Sequence, residues 1–148
     1  MTVRGGREVS VPVTVEFEDI DSYGIAHHTR LVAFLERARL RLLTSLGAEL
    51  SGVAPVVYEL NVRFRKPARL MDQLTVTARV RSHDEYTLAL EYCIDREGEP
   101  IVKARSVIAF ADLDDGALAT IPGELFDALG TASGEEGAMG RPERRLTD

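Results

Sequence analysis

The chain has 148 residues and a formal net charge of −6, with 45% hydrophobic and 28% charged residues. A single globular domain of this length can bury a sizeable core, and the acidic balance argues against nucleic acid as a partner. No apolar run approaches the roughly 18 residues that cross a bilayer, no secretory signal is visible, and the lone Cys93 excludes an internal disulfide. The sequence therefore predicts a cytoplasmic protein with no membrane partner.

The first predicted element is a strand. Apolar and polar residues alternate from Val9 to Phe17, which is typical of a half-buried strand. Pro12 has no N–H to donate, so this strand is expected to lie near an edge of the sheet. A loop follows from Glu18 to His27, and Gly24 within it is free to adopt a positive φ.

A long helix is predicted from about Thr29 to Leu46, where apolar residues recur at steps of three and four. Gly47 suits the position just after a helix C-terminus. Few residues of the helix are left to face only solvent, so we expect other elements to cover most of it. Its apolar residues are Leu31, Val32, Phe34, Leu35, Ala38, Leu40, Leu42, Leu43 and Leu46.

Four more strands are predicted after the helix, from alternating apolar residues at about 56–64, 74–80, 88–94 and 102–110. Because the connections between them are short, an antiparallel meander is the simplest topology. The predicted architecture is α+β, a long central helix wrapped by a curved antiparallel sheet of about five strands.

The two ends of the chain differ from the middle in composition. A short strand near 118–121 and a brief helix from Pro122 to Leu129 are predicted to close the domain. Residues 131–148 are rich in Gly, Glu and Arg and are expected to be a disordered tail. Residues 1–8 are expected to be a flexible N-terminus, which leaves a single domain over 9–130.

The loop before the long helix holds the residues best suited to chemistry. Asp21 lies ahead of a helix start, where unpaired N–H groups could hold the oxygen of a thioester or ester carbonyl. The alternative is that Asp21 is a turn residue that hydrogen-bonds its own backbone. Asp19 is expected to be structural.

His27 and His28 allow three interpretations: metal ligands, acid–base groups, or polar residues of a helix cap. Adjacent histidines point apart, and no spaced Cys or His cluster completes a metal site. The sequence therefore predicts no metal. It also contains no serine-nucleophile elbow, phosphate-binding glycine loop or dinucleotide fingerprint.

A basic group at the end of the second predicted strand is a candidate anion site. Its members are Arg63, Arg65, Lys66 and Arg69, and several cations placed there could converge on phosphates. The alternative is a solvated strand face whose charge is balanced by Glu59 and Asp72. Glu36 in the long helix is either a second acid or the partner of a nearby arginine.

Taken together, these residues resemble the signature of hotdog-fold acyl-CoA thioesterases. The similarity is greatest to the 4-hydroxybenzoyl-CoA thioesterase-like group, which includes the Tol-Pal-associated acyl-CoA thioesterases, and it extends from about residue 10 to 128. The matching positions are Glu18–Asp21, Gly24, His28, Phe34–Arg39, Val62–Leu70 and Asp72.

This resemblance implies a hotdog fold and hydrolysis of an acyl-CoA or acyl-carrier-protein thioester, with no cofactor. It assigns Asp21 as the catalytic acid, either as nucleophile or as general base, and the backbone N–H of His28 as the group that polarises the carbonyl. Participation of the His28 imidazole is left open. It also implies a homodimer or homotetramer with substrate in the cleft between subunits. The four basic residues would then contact the nucleotide phosphates.

Four positions depart from the family pattern and surround the expected acyl pocket. His27 replaces an aromatic residue, Arg30 an Asn, Leu31 a Tyr, and Tyr23 a small residue beside Gly24. We assign these four residues and Gly24 to substrate binding, with Arg30 favouring an acidic or carrier-bound substrate. Two alternatives remain: a hotdog dehydratase or hydratase that pairs a histidine with Asp21 or Glu36, and a non-catalytic acyl-thioester binding protein.

Overall fold

The computed structural model describes residues 2–4, 7–47 and 52–130, and for 2–4 the backbone alone. The elements in chain order are β1 (Thr2–Arg4), β2 (Glu8–Thr14), a 3₁₀ turn (Phe17–Asp19), α1 (His28–Ser45), β3 (Val53–Phe64), β4 (Gln73–His83), β5 (Leu88–Arg96), β6 (Glu99–Asp112), β7 (Leu118–Ala119) and α2 (Gly123–Leu129). The predicted long helix and five long strands are confirmed. The short strand predicted near 118–121 is present as β7, and only β1 is added to the predicted strands.

All strand pairs are antiparallel, in the order β1-β2-β4-β5-β6-β3, with β7 also paired to β6. The predicted meander is correct for β4, β5 and β6 but wrong for β3, which pairs with β6 at the far edge. The reason lies in the segment after β3, which crosses back along the loop before α1. The N–H of Ala26 donates to the oxygen of Ala68 at 2.8 Å, and that of Met71 to the oxygen of Val15 at 2.9 Å. The chain therefore enters β4 beside β2.

The pairing of β2 at the N-terminal edge of the sheet explains why this strand can contain Pro12. β2 pairs with β4 along its whole length but with β1 only from Glu8 to Ser10. Pro12 thus lies where the strand is paired on one side, as predicted. The strand at Thr2–Arg4 falls within the segment expected to be flexible. The sequence did not predict this strand, because three residues are too few to show an alternating pattern.

The core fills the space between α1 and one face of the sheet, which we call the inner face. Val76 and Ala78 of β4 are directly opposite Ile94 and Tyr92 of β5, and all four are buried. The helix contributes a buried stripe to this core, namely Leu31, Phe34, Leu35, Ala38, Leu42 and Leu43. The side of the sheet turned away from α1 is the outer face.

Part of α1 is more exposed than its sequence predicts. Glu36, Arg37 and Leu40 lie on a face that no described element covers, and Leu40 is 63% exposed. Leu40 was expected to be covered, and the described residues leave it in water, as is common for a single leucine on a protein surface.

β3 shows the same feature more strongly. Its residues alternate in polarity, yet none of them is buried, and Val56, Val57, Leu60 and Phe64 are exposed. The strand pairs with β6 on one side, no strand of the described residues pairs with its other side, and its register shifts at Tyr58. β3 is thus a twelve-residue apolar edge strand.

The C-terminal helix α2 lies against the start of the domain. The Nη1 of Arg7 donates to the oxygen of Leu129 at 3.1 Å, and the ring of His83 packs edge-on against Phe126 with centroids 5.3 Å apart. Within the described ranges, neither helix is long and apolar enough to cross a membrane. The predicted tail at 131–148 lies outside the described residues.

Candidate active site

The loop before α1 folds back on itself as a narrow ladder. The N–H of His27 donates to the oxygen of Asp19, and that of Asp21 to the oxygen of Ile25, both at 2.9 Å. Gly24 at the tip has φ +80°, the conformation predicted for it. The ladder places Asp21 opposite Ile25 and close to His27, the residue that caps α1.

The carboxylate of Asp21 is held by the backbone of its own loop. Its Oδ1 accepts hydrogen bonds from the N–H groups of Tyr23 at 2.8 Å and Ile25 at 3.2 Å. Those two bonds, first from Ile25 and then from Tyr23, hold the pKa of Asp21 below its usual value, and the charge of His27 acts in the same direction. No described residue donates to Oδ2, so one oxygen is fixed and the other is available.

The turn interpretation and the chemical interpretation of Asp21 are therefore compatible. The side chain makes the local backbone bonds of a turn residue, and those bonds also fix the direction of the carboxylate and keep it ionised. An anchored, ionised acid with a free oxygen is suited to attack a carbonyl or to accept a proton from water.

Asp19 has the structural role expected of it. It is 3% exposed, its Oδ2 accepts from the N–H of Glu16 at 2.8 Å, and its Oδ1 accepts from the Nε of Arg30 at 2.7 Å. The ion pair ties the loop to the first turn of α1. The Nε of Arg30, a predicted substrate contact, is therefore already engaged by the protein.

The start of α1 is open toward solvent. His27 has extended backbone angles and makes no side-chain cap, and no described residue accepts a hydrogen bond from the N–H groups of His28 and Thr29. Both histidines are exposed. Free N–H groups and the helix dipole make such an end favourable for an oxygen that bears negative charge.

Phe64 is a neighbour of this helix start that the sequence did not assign to the site. Its ring packs edge-on against His28, with centroids 6.0 Å apart, although it is the last residue of β3. Alternation predicted an apolar residue at that position. It did not predict that β3 would end beside α1, because that depends on β3 crossing to the far edge of the sheet.

The predicted pocket residues are distributed unevenly. Tyr23 is 84% exposed and contributes its N–H, not its ring, to the loop. Leu31 lies on the buried side of α1, within the core. Of the predicted residues, Tyr23 thus contacts the carboxylate of Asp21 directly, and Gly24 and His27 belong to the same ladder.

The basic group does not form one cluster. Lys66 makes an ion pair with Glu99, while the backbone of Arg69 pairs with Ile25 in the loop of Asp21. Arg63 lies on the outer face of the sheet, directly opposite Lys103 of β6. These residues were grouped because they are close in sequence. In the structure, the end of β3 and the turn after it direct them to different places.

The profile of the thioesterase-like superfamily matches residues 15–129. This chain belongs to that superfamily. The match includes the loop of Asp21, the helix start at His28 and the four long strands β3, β4, β5 and β6, and it begins just after the end of β2.

Relatives with similar sequences agree with this assignment. The chain is 40% identical over 78 residues to the acyl-CoA thioester hydrolase YbgC of Escherichia coli, across 48% of this chain and 57% of that protein. It is 31% identical over 126 residues to the acyl-CoA thioesterase YbgC of Haemophilus influenzae, across 81% of this chain and 93% of that protein. The match to the Escherichia coli relative thus spans little more than half of its length.

Solved structures extend the likeness to the fold. A probable thioesterase from Bartonella henselae superimposes with a TM-score of 0.72 at 25% identity, covering 78% of this chain and 99% of that one. The hypothetical protein TT1821 from Thermus thermophilus gives a TM-score of 0.75 at 28% identity, covering 82% and 95%. The fold of this thioesterase-like chain is the hotdog fold that the sequence resemblance implied.

Proposed function

We propose that this protein hydrolyses an acyl thioester, carried by coenzyme A or by an acyl carrier protein, to a free acid and a thiol. The observation that supports this most directly is the state of Asp21. One of its oxygens is fixed by two backbone N–H groups, and its ionised carboxylate lies in a loop that ends at the open start of α1. Membership of the thioesterase-like superfamily supports the same chemistry.

In this mechanism the thioester carbonyl lies at the helix start and its oxygen accepts a hydrogen bond from the N–H of His28. The helix dipole stabilises the negative charge that develops on that oxygen. Asp21 then either attacks the carbonyl carbon, forming an anhydride that water hydrolyses, or removes a proton from an attacking water. In both routes the thiolate leaves and takes up a proton. A depressed pKa keeps Asp21 ionised at neutral pH, as both routes require.

The substrate contacts remain those expected from the sequence, with their relative weight changed. Three of them lie in the loop itself, namely Tyr23, Gly24 and His27, and part of Arg30 is exposed beside it. Leu31 lies on the buried side of α1. Arg63, Arg65, Lys66 and Arg69 stay candidates for contacts to the nucleotide phosphates. Of these four, Lys66 is the least available because Glu99 already binds it.

A homo-oligomer is part of the proposal. An edge strand with exposed apolar residues is a template for pairing with another strand, and β3 of a second copy would continue the sheet and cover Leu60 and Phe64. Such an assembly would also enclose the helix start beside Phe64. A cytoplasmic location is retained as well, since the free Cys93 suits a reducing compartment.

The central experiment measures release of free thiol from a panel of aryl, short-chain and long-chain acyl thioesters. Asp21→Asn keeps the oxygen that caps the turn but removes the charge, so we expect kcat to fall by about 10²-fold or more while Tm is unchanged. Asp127→Asn, at an exposed acid of α2, is the matched control and should retain full turnover. Near-wild-type turnover by Asp21→Asn would overturn the assignment.

The same incubation separates the two alternatives. A dehydratase would produce enoyl absorbance from a 3-hydroxyacyl thioester, and a binding protein would retain acyl-CoA without releasing thiol. The structure weakens one form of the first alternative. Glu36 lies eight residues along α1 from His28, which is about 12 Å at the rise of an α-helix, so the two cannot form a direct pair within one chain.

A further inference from the structure

The outer face of the sheet has an open cavity of about 670 Å³ that lies apart from the loop of Asp21. Two rows of opposed residues line most of it. In the first row Arg63 of β3 faces Lys103 of β6, which faces Cys93 of β5. In the second row Arg105 of β6 lies between Asn61 and Glu91.

Three cations of these rows are next to each other. Arg63 and Lys103 are directly opposite, and Lys103 and Arg105 are two residues apart on one strand, hence on one face and about 7 Å apart. Like charges placed opposite each other destabilise a sheet. None of the three makes an ion pair with a described residue.

The acids that line the cavity do not neutralise this group. Glu91 is bound by Arg79 and also contacts the Nε of Arg81 at 3.4 Å. Glu59 lies one row further along β3, opposite Val107. A local excess of positive charge therefore persists on a chain whose net charge is −6.

We propose that this cavity is a binding site for a phosphate-bearing anion, held by Arg63, Lys103 and Arg105. Two guanidinium groups and an ammonium suit phosphate oxygens, and Asn61 and Thr77 supply neutral polar side chains along the same rows. The volume is that of a pocket for a nucleotide-sized ligand. Lys103 and Arg105 are distant in sequence from the predicted basic group, and only the register of β3 against β6 brings them to Arg63.

Two sources could supply this chemistry: the nucleotide of an acyl-CoA substrate, or a separate phosphorylated molecule. The first rests on the proposed hydrolysis and the second does not. The site is therefore tested by binding alone, with inorganic pyrophosphate and adenosine 3′,5′-bisphosphate as probes in titration calorimetry at low salt. Failure of the hydrolysis proposal leaves this measurement unaffected.

We expect wild-type protein to bind both probes and to bind them more weakly as salt is added. Lys103→Gln and Arg105→Gln should each weaken binding by about tenfold. Arg37→Gln, which removes the same charge from the exposed face of α1, should leave it unchanged. Without ligand, the two cavity variants should have a Tm no lower than wild type, because each removes a repulsion. The absence of binding to wild type, or equal binding to all variants, would overturn the proposal.

Kinetics then identify the source. If the phosphates belong to the substrate, Lys103→Gln and Arg105→Gln should raise KM for an acyl-CoA but not for the matching acyl-pantetheine, which lacks the nucleotide. If they belong to a separate molecule, the ratio of the two KM values should stay at its wild-type value while probe binding is lost. Either result supports the site, and each assigns it a different ligand.

Discussion

The Nε of Arg30 lies 2.7 Å from Oδ1 of Asp19, which joins the first turn of α1 to a carboxylate that is almost fully buried. Removing the cation leaves that carboxylate with the Glu16 N–H as its remaining donor. Because a buried charge without its partner is costly, we expect Arg30→Met to lower the free energy of unfolding by about 1–3 kcal/mol. Chemical denaturation measures this change.

A matched control and a double variant make that prediction specific. Arg37→Met removes a cation that packs over the ring of Phe34, and should cost no more than about 1 kcal/mol. Adding Asp19→Asn to Arg30→Met removes the unpaired charge, so the two effects should be less than additive. Strict additivity would show that the pair contributes nothing to stability.

The pH dependence of turnover follows from the position of Asp21. Its backbone donors lower its pKa below the usual 3.8, so it stays ionised as the pH falls and is lost as an active group only below that value. We expect no acid limb due to Asp21 in kcat/KM above about pH 5. A limb between about pH 5 and 7 that survives replacement of both His27 and His28 by Gln would contradict this.

Gly24 should be important for its backbone conformation alone. Its φ is +80°, and an added Cβ would meet no atom within 4 Å, so Gly24→Ala introduces strain without a clash. The expected cost is about 1–2 kcal/mol, together with a loss of kcat because the loop that holds Asp21 shifts. Gly116→Ala, at φ +74° in a remote turn, should cost the same stability and leave kcat unchanged. Equal loss of kcat in both variants would refute the link.

The thiol of Cys93 should be unreactive. Burial first, and then the hydrogen bond to Asp95 at 3.3 Å, raise its pKa to about 11. At neutral pH the group is therefore a thiol and not a thiolate. We expect slow alkylation by iodoacetamide whose rate rises with pH up to the pKa, and a faster rate in Asp95→Ala, which lacks the acceptor and the charge. Rapid stoichiometric labelling at neutral pH would contradict this prediction.

Stability should fall in mild acid because of His83. Burial, and then the charge of Arg7, lower its pKa below the usual 6.5, against a smaller effect of Asp84. Below 6.5 the unfolded chain thus binds a proton that the folded chain resists, and stability decreases as the pH falls toward the folded pKa. His83→Phe keeps a ring beside Phe126 and should flatten the dependence of Tm on pH in this range. An unchanged slope in that variant would assign the effect to other groups.

The sequence predicted the elements well because each has a local cause. The period of three and four over Leu31–Leu46 and the alternation from Val9 onward are visible without any contact. The partner of β3 was not predictable in this way. Its alternation matched either β4 or β6 as neighbour, and the choice depended on the 65–72 segment packing along the loop of Asp21.

The candidate site was predictable to the same degree. Asp21 was predicted as a candidate from its place before a helix, with a chemical role and a turn role as alternatives, and the arrangement of its two oxygens was not predicted. The engagement of Arg30 by Asp19, the contact of Phe64 with His28 and the approach of Lys103 to Arg63 were not. Each joins residues at least eleven positions apart, whose meeting depends on tertiary packing that a local pattern does not contain.

Because backbone N–H groups anchor Asp21, the direction of its carboxylate does not depend on which side chains the loop carries. Tyr23 and Ile25 hold the carboxylate through main-chain atoms that every residue except proline possesses. Their side chains can therefore be exchanged without redirecting the acid. A library at positions 23 and 25 should alter which acyl groups are accepted while leaving the acid aimed as before, so substrate preference in this scaffold is open to redesign independently of its reactive group.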